Sequence, residues 1–340
     1  MTIGNNTPFF GFDSAVGVAK ETTFGTFVTA TTFIEFNSEG FKQERDSKTL
    51  ESINASRDPK KRVTFNENIS GSIEAELNLA SDGIINILKQ GMGGTCSSVV
   101  TSAGVSYTHT LYSGDMENNK PTSTGSDMKS LSFQVRKGST HVWCYAGMRA
   151  NTLSFKAESG GPVVFSSELI GQTCSITSTI PAISVTDVNP CTFVGVTVQT
   201  GATTTSLATE YFKSFELTIN NNLDGEQRVL GSRNVVCLPP KRRETKLKFT
   251  QIFDTITAYN RFLAETITAI KISITGPTIA SSSLPHQLDI TLPRCYFKSN
   301  MPTVGGPDPI MLEMECDVLY DSALGSAVKM EVINGTAAYA

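Results

Sequence analysis

The residues of this chain that could do nucleophilic or metal chemistry are few. There are three histidines, His109, His141 and His286, and seven cysteines. His141 precedes Cys144 in THVWCYAG (140–147), which raises a Cys–His pair as a possible nucleophile and base. The flanking residues match no nucleophile motif, and in extended chain the alternation of side chains sends neighbours to opposite faces. Glu313, Glu315 and Asp317 alternate with apolar residues in GGPDPIMLEMECDVLY (305–320). Such acids project together from a strand, but a cation site needs more convergent oxygens or a histidine. A strand with one wet face is the simpler reading. Gly91, Gly93 and Gly94 follow a helix pattern rather than open one, so they form a helix stop and a loop, not a phosphate cradle. No GxSxG, HExxH, P-loop or GxGxxG pattern is present. The chain is therefore read as a non-enzyme without cofactor or metal.

Two basic triplets remain, Lys60-Lys61-Arg62 and Lys241-Arg242-Arg243. They are short and sit in a chain of net charge −4, which disfavours a sequence-independent duplex binder. Pairing with acidic groups of a neighbouring subunit suits them better. The 340 residues suffice for two domains with a core each, and 39% hydrophobic with 18% charged residues fits a folded protein. No run approaches the ~20 apolar residues of a membrane helix, and MTIGNNTPFF lacks the pattern of a signal peptide. The cysteines are odd in number and never spaced CxxC, which suggests a reduced compartment and inert core thiols, with disulfides left open.

The elements that would position these residues are mostly strands. Phe133–Val135, Leu153–Phe155–Ala157, Phe215–Leu217–Ile219, Ile270–Ile272–Ile274 and Leu288–Ile290–Leu292 alternate with polar residues. Ile310, Leu312, Met314, Cys316 and Val318 line the apolar side of the acidic strand. Helix signals are two. Ser81-Asp82 opens one with Ile84, Ile87 and Leu88 on a face and Gly91 as its stop; Asp254 opens another with Tyr259, Phe262 and Leu263 on a face.

The order of elements repeats. KKRVTFNENISGSIEAELNLASDGIINILKQ (60–90) and KRRETKLKFTQIFDTITAYNRFLAE (241–265) each run from a basic cluster through extended chain to an acidic cap and a helix. GGPVVFSSELIG (160–171) and the stretch from 305 each place a Gly-Gly-Pro turn before an alternating strand. The sequence thus predicts two similar modules: an N-terminal arm 1–32, a first module 33–171, a linker or edge segment 172–210, a second module 211–325 and a tail 326–340. FVGVTVQTG within the linker could form a strand. Two long polar stretches hold equivalent places, 41–62 and 221–243. The first is dense in charges of both signs and reads as a solvated loop or as an arm that folds onto a neighbour.

Several phrases resemble the tail tube proteins of long-tailed bacteriophages, in particular the two-module type. These are GVAKETTFGTFVTATTFIEFNSEGF (17–41), with its K-E-T-x-x-G-T phrase, SLSFQVRKG (130–138), YAGMRANTLSFKAESGGPVVFSSELIG (145–171) and FELTINNNLDGEQRVLGSR (215–233). The resemblance spans about 15–320; residues 241–243 depart from it, since relatives often carry a glycine-containing turn there. It implies a mainly β fold of two tandem tail-tube β-sandwich or barrel modules, each with one short helix. It further implies trimeric rings with pseudo-sixfold symmetry, stacked into a virion tail tube assembled in the host cytoplasm. The partners implied are the chain itself, the tail terminator, tape-measure and tail-tip proteins, and genomic DNA passing through the lumen without specific binding. On that reading Glu74, Glu76, Glu313, Glu315 and Asp317 are candidate lumen-facing residues. Arg45, Asp46, Arg57, Lys60, Lys61, Arg62, Arg228, Arg233 and Arg242 are candidates for contacts between stacked rings. The alternatives are another phage structural β-protein, such as a baseplate or decoration protein, and a carbohydrate-binding or carbohydrate-cleaving β-sandwich. The last is weakened by a single Trp and few aromatics outside core-parity positions.

Overall fold

A computed structural model describes residues 10–53, 57–93, 96–102, 104–113, 130–138, 141–298, 301–302, 304 and 306–339. Residues 1–9 of the expected arm, 54–56 of the charged stretch, Gly94 and Gly305 lie outside the described residues. The strands in chain order are β1 (Ala15–Lys20), β2 (Thr32–Ile34), β3 (Ser38–Glu39), β4 (Lys42–Thr49), β5 (Arg62–Glu76), β6 (Ser97–Ser102), β7 (Ser106–Tyr112), β8 (Leu131–Lys137), β9 (His141–Glu158), β10 (Val164–Gly171) and β11 (Thr173–Thr177). They continue as β12 (Val196–Thr203), β13 (Ser206–Glu210), β14 (Ser214–Asn220), β15 (Glu244–Ile252), β16 (Thr268–Thr278), β17 (Pro285–Phe297), β18 (Met311–Val318) and β19 (Lys329–Asn334). Among the described residues two α-helices stand between them, α1 (Asp82–Met92) after β5 and α2 (Thr257–Leu263) after β15. Every strand pair is antiparallel, and the fold is mainly β.

The pairing path is written twice. In the first half it runs β2–β1–β8–β9–β10–β5, with β3 and β4 in line on the far edge of β5. In the second half it runs β13–β12–β16–β17–β18–β15–β14. β11 joins the first half of β9 as β19 joins the first half of β17. α1 and α2 fall at the same step of the path. The halves are then stitched together twice. The C-terminal part of β9 pairs with β14, and β19 pairs with β7.

That stitching has an energetic consequence. The sequence predicts a separate core for each half, whereas most of the buried apolar residues form one contiguous cluster through both, with a small second cluster at Ala15, Ala30 and Phe33. The alternating positions Phe133, Val135, Leu153, Phe155, Phe215, Leu217, Ile219, Ile270, Ile272, Ile274, Leu288, Ile290 and Leu292 are all in the large cluster. Burial of each such side chain contributes about 1.5–3 kcal/mol. Phe155 meets Phe165 in a tilted ring contact at 5.5 Å, and Phe212 stacks on Phe249 at 4.4 Å.

Several local expectations change. Gly91 is not the stop of α1: it lies inside the helix, against Leu153, where an added Cβ would approach Leu153 Cδ1 to 2.7 Å. The helix ends at Gly93, whose φ of 137° an L side chain rarely adopts. Asp254 does not cap α2, which begins three residues later and has no side-chain cap. Leu263 faces solvent rather than sharing the packed face of Phe262. The stretch 41–62 is not all loop: Lys42–Thr49 form β4, which pairs with β5 in a hairpin that runs out to Thr49 and Arg62. Within the expected arm, β1 is a buried strand paired on both edges. Within 172–210, Thr173–Thr177 pairs with β9, and the FVGVTVQTG segment forms β12, which pairs with β13 and β16.

Candidate functional site

One sheet face gathers the predicted acids. Six strands lie side by side in the order β5–β10–β9–β14–β15–β18. Their inward residues belong to the core, so the alternate residues form a polar outer face. Register fixes the rows on that face. Glu74, Ser166, Ser154, Thr218, Lys246 and Asp317 form one row. Glu76, Val164, Lys156, Glu216, Lys248 and Glu315 form the next. Glu158, Ser214, Thr250 and Glu313 form a third. The two acidic strands, distant in sequence, therefore stand at opposite margins of a single face.

The face is acidic but not purely so, which the sequence reading missed. Lys156 pairs with Glu158 at 2.8 Å and holds that carboxyl below the usual range. Lys298, at the margin, reaches Asp317 at 2.8 Å and Glu315 at 3.0 Å, and these carboxylates raise its own pKa. Lys248 lies between Glu216 and Glu315 in register. The alternation of lysines with Leu247 and Phe249 in TKLKF (245–249) carried the signal for Lys246 and Lys248. Among the described residues no cluster of His, Cys, Asp or Glu could hold a metal ion.

The candidate ring-to-ring residues divide into two groups. One group lies along the β4–β5 hairpin. All of β4 is exposed, as are Val63 and Phe65 on β5. Arg45 pairs with Glu67 at 3.5 Å, Asp46 lies 3.4 Å from Asn68 Nδ2, and Arg62 Nη2 donates to Ser47 Oγ at 2.6 Å. Arg57, Lys60 and Lys61 are exposed beyond the paired strands. A two-stranded ribbon is marginal by itself in water, and this one carries the exposed apolar side chains Val63 and Phe65.

In the second group, in the 221–243 stretch, Arg228 is turned inward while Arg233 and Arg242 are exposed. Arg228 Nη2 donates to Asn68 Oδ1 at 2.5 Å and Nη1 to Gly225 O at 3.0 Å, so this side chain braces the root of the hairpin. Arg233 O accepts from Glu67 N at 3.1 Å. Arg242 is exposed, its carbonyl accepting from Asn222 Nδ2 at 2.9 Å. The neighbouring Lys241 pairs with Asp224 at 3.4 Å. Arg243 runs under the chain to α1, and desolvation lowers its pKa to about 10.

Other polar groups serve the fold. In the KETTFGT phrase, Glu21 is buried and its carboxylate accepts from Gly25 N (2.9 Å), Ser132 Oγ (2.7 Å), Gly147 N (2.8 Å) and Ser130 Oγ. This ties the turn after β1 to β8 and β9, which is the physical work of that phrase. Arg149 is fully buried, donates to Leu238 O at 2.6 Å, and has its pKa lowered to about 10 by desolvation. His141 is exposed on β9 while Cys144 is buried, so the two do not form a nucleophilic pair. His109 is buried between Ser98 Oγ (2.8 Å) and Asn334 Oδ1 (3.0 Å).

No curated protein matches the chain at a significant level. A family model described as phage tail tube protein matches residues 11–318, from just before β1 to the end of β18. With most of its length covered by that match, the chain belongs to the phage tail tube protein family and is a structural component of the virion tail.

Proposed function

We propose that three copies of this chain close into a ring of six similar sheet units, and that the rings stack into the tube through which the genome leaves the virion. The observation that carries this reading is the doubled strand path. β14 has its outer edge covered by β9 of the same chain. Its counterpart in the first half, the β3–β4 edge, pairs only with β5 among the described residues. A chain that covers one of two equivalent edges internally leaves the other for a neighbour, and a closed circle covers all of them. The repeated units then reach beyond 33–171 and 211–325 to take in β1 and β12.

In this ring the face bearing Glu74, Glu76, Glu313, Glu315 and Asp317 lines the channel. Its acids outnumber its lysines, and Lys156 and Lys298 are paired with carboxylates. Such a wall gives phosphates little to displace counterions with, so DNA slides without sticking. The outer β4–β5 hairpin, with Asp46, Arg57, Lys60, Lys61 and Arg62, reaches the next ring, aided by Arg233, Arg242 and the N-terminal arm. Fixing the residues beyond the paired strands, such as Arg57, Lys60 and Lys61, costs about 1–2 kcal/mol per residue, so stacking is slow until a growing end is presented. The tube ends meet the terminator, tape-measure and tail-tip proteins, in the host cytoplasm during assembly.

Electron microscopy of the purified protein tests the reading. Long tubes or stacked rings are expected. Isolated particles under all conditions would overturn it and favour a baseplate or decoration protein. In a tube map, β5 and β18 facing outward would remove the channel assignment.

A further inference from the structure

α1 and α2 hold the same step of the repeated path, but their surroundings differ. α1 is buried at every residue from Gly83 to Met92. Its last carbonyls are capped by residues from beside β14 and β15. Asn221 Nδ2 donates to Gly91 O at 2.8 Å and to Ala150 O at 2.9 Å. Arg243 Nη2 donates to Met92 O at 3.2 Å, and its Nε holds Asn221 Oδ1 at 2.8 Å. Thus the first half's helix is sealed by the base of the second half's β14–β15 pair.

α2 has no such side-chain cover: its Arg261 and Phe262 carbonyls accept from the backbone N–H groups of Thr266 and Glu265, both at 3.0 Å, which leaves the Leu263 and Ala264 carbonyls for a partner. Ile256 at its start is 60% exposed and Leu263 at its end is 59% exposed, with Ile252 and Ile267 exposed on either side. Four exposed large aliphatic side chains around one short helix are the kind of apolar surface that a partner covers.

Register identifies what would cover it. When Glu76, the last residue of β5, is laid on Ile252, the last residue of β15, the facing pair Asn221–Arg243 falls on Arg45–Glu67. Arg45 and Glu67 are also cross-strand partners, joined by an ion pair, and the Arg45 side chain is 57% exposed. An arginine there can donate to the C-terminal carbonyls of a helix as Asn221 and Arg243 do, with the favourable sign for the helix dipole.

We propose that α2 is an interface for a second copy of this chain. The base of the neighbour's β4–β5 hairpin packs on Ile256 and Leu263, and the neighbour's Arg45 caps the end of the helix. This rests on the ring reading and deepens it: it makes Arg45 a contact within a ring, whereas the rest of the hairpin points to the next ring. It is also continuous with an interface already present inside the chain, since β9–β14 and α1–Asn221 are its internal copy.

Cysteine cross-linking in assembled tubes tests this. The double variant Arg45→Cys, Leu263→Cys is assembled and oxidised, with each single variant as a control for the seven native cysteines, which are free thiols. Covalent dimers and trimers that stop at three chains are expected, with only background linkage in the single variants. A ladder running beyond three would place the contact between rings and overturn the proposal. Should the substitutions hinder assembly, hydrogen exchange on the wild-type protein gives the second readout. Amides of 257–264 should exchange at least about tenfold more slowly in tubes than in dispersed subunits. Unchanged exchange there, in tubes that form normally, would sink this interface and leave the ring standing. A wild-type protein that never forms rings would sink both.

Discussion

Phe155 of β9 lies directly opposite Leu217 of β14, and both are buried at the seam where the two halves of the chain become one sheet. Cutting into that seam should therefore weaken the whole molecule. Leu217→Ala should cost about 2–5 kcal/mol, read as a lower urea midpoint with one cooperative transition. Two separated transitions, with only the second half weakened, would show that the halves fold independently.

Gly91 makes a sharper local test. Alanine normally favours a helix by about 1 kcal/mol over glycine. Here the new methyl would press on Leu153 Cδ1, and overpacking of a closed core costs about 1–3 kcal/mol. Gly91→Ala should thus lower the thermal midpoint, against propensity. A raised midpoint would mean that Leu153 gives way freely.

Acidification should unfold the subunit earlier than its carboxylates alone predict. His109 and His286 are both buried, and desolvation holds their pKa values below the ordinary 6.5. An unfolded chain protonates these rings as pH falls through 6.5, while the folded chain resists. Their contribution to stability is therefore complete above about 6.5 and declines below it. Urea midpoints measured from pH 7.5 to 5.5 should fall, and His286→Gln should flatten the curve. A wild-type midpoint that is constant over this range would contradict the assignment.

Charge on the polar face should decide whether DNA sticks. Replacing Glu74, Glu76, Glu313, Glu315 and Asp317 by lysine should give tubes that retain DNA, with affinity falling steeply as salt rises. The parent tubes should show little binding. Equal, weak binding by both would mean that this face does not meet the DNA.

Much of this was legible in the chain, for reasons of period. Residues such as Leu153, Phe155 and Ala157 announce strands because one face of each is buried and the other is wet. The doubled order of elements could be read from caps, helices and Gly-Gly-Pro turns. What could not be read was pairing across long separations. Nothing local shows that β14 joins β9, so the fusion of two cores into one stayed hidden. The same gap hid Asn221 and Arg243, whose role depends on α1 arriving beside them. The sequence offers Arg228 as a candidate contact between rings, but nothing local shows that it also braces Asn68, far away in sequence. Gly91 looked like a helix stop because glycine often is one; its actual constraint, the approach of Leu153, comes from another strand. Lys246 and Lys248 show the same alternation as the acid runs, but that they share a face with the acids depends on the pairing of β15 with β14 and β18.

The central claim is that one chain supplies two like units to a circle that only neighbours can close. End-on averages of single rings by electron cryomicroscopy test it most directly. The account predicts threefold symmetry from three chains, with six similar lobes around the channel. A ring of six chains, or one without pairwise-similar lobes, would contradict it.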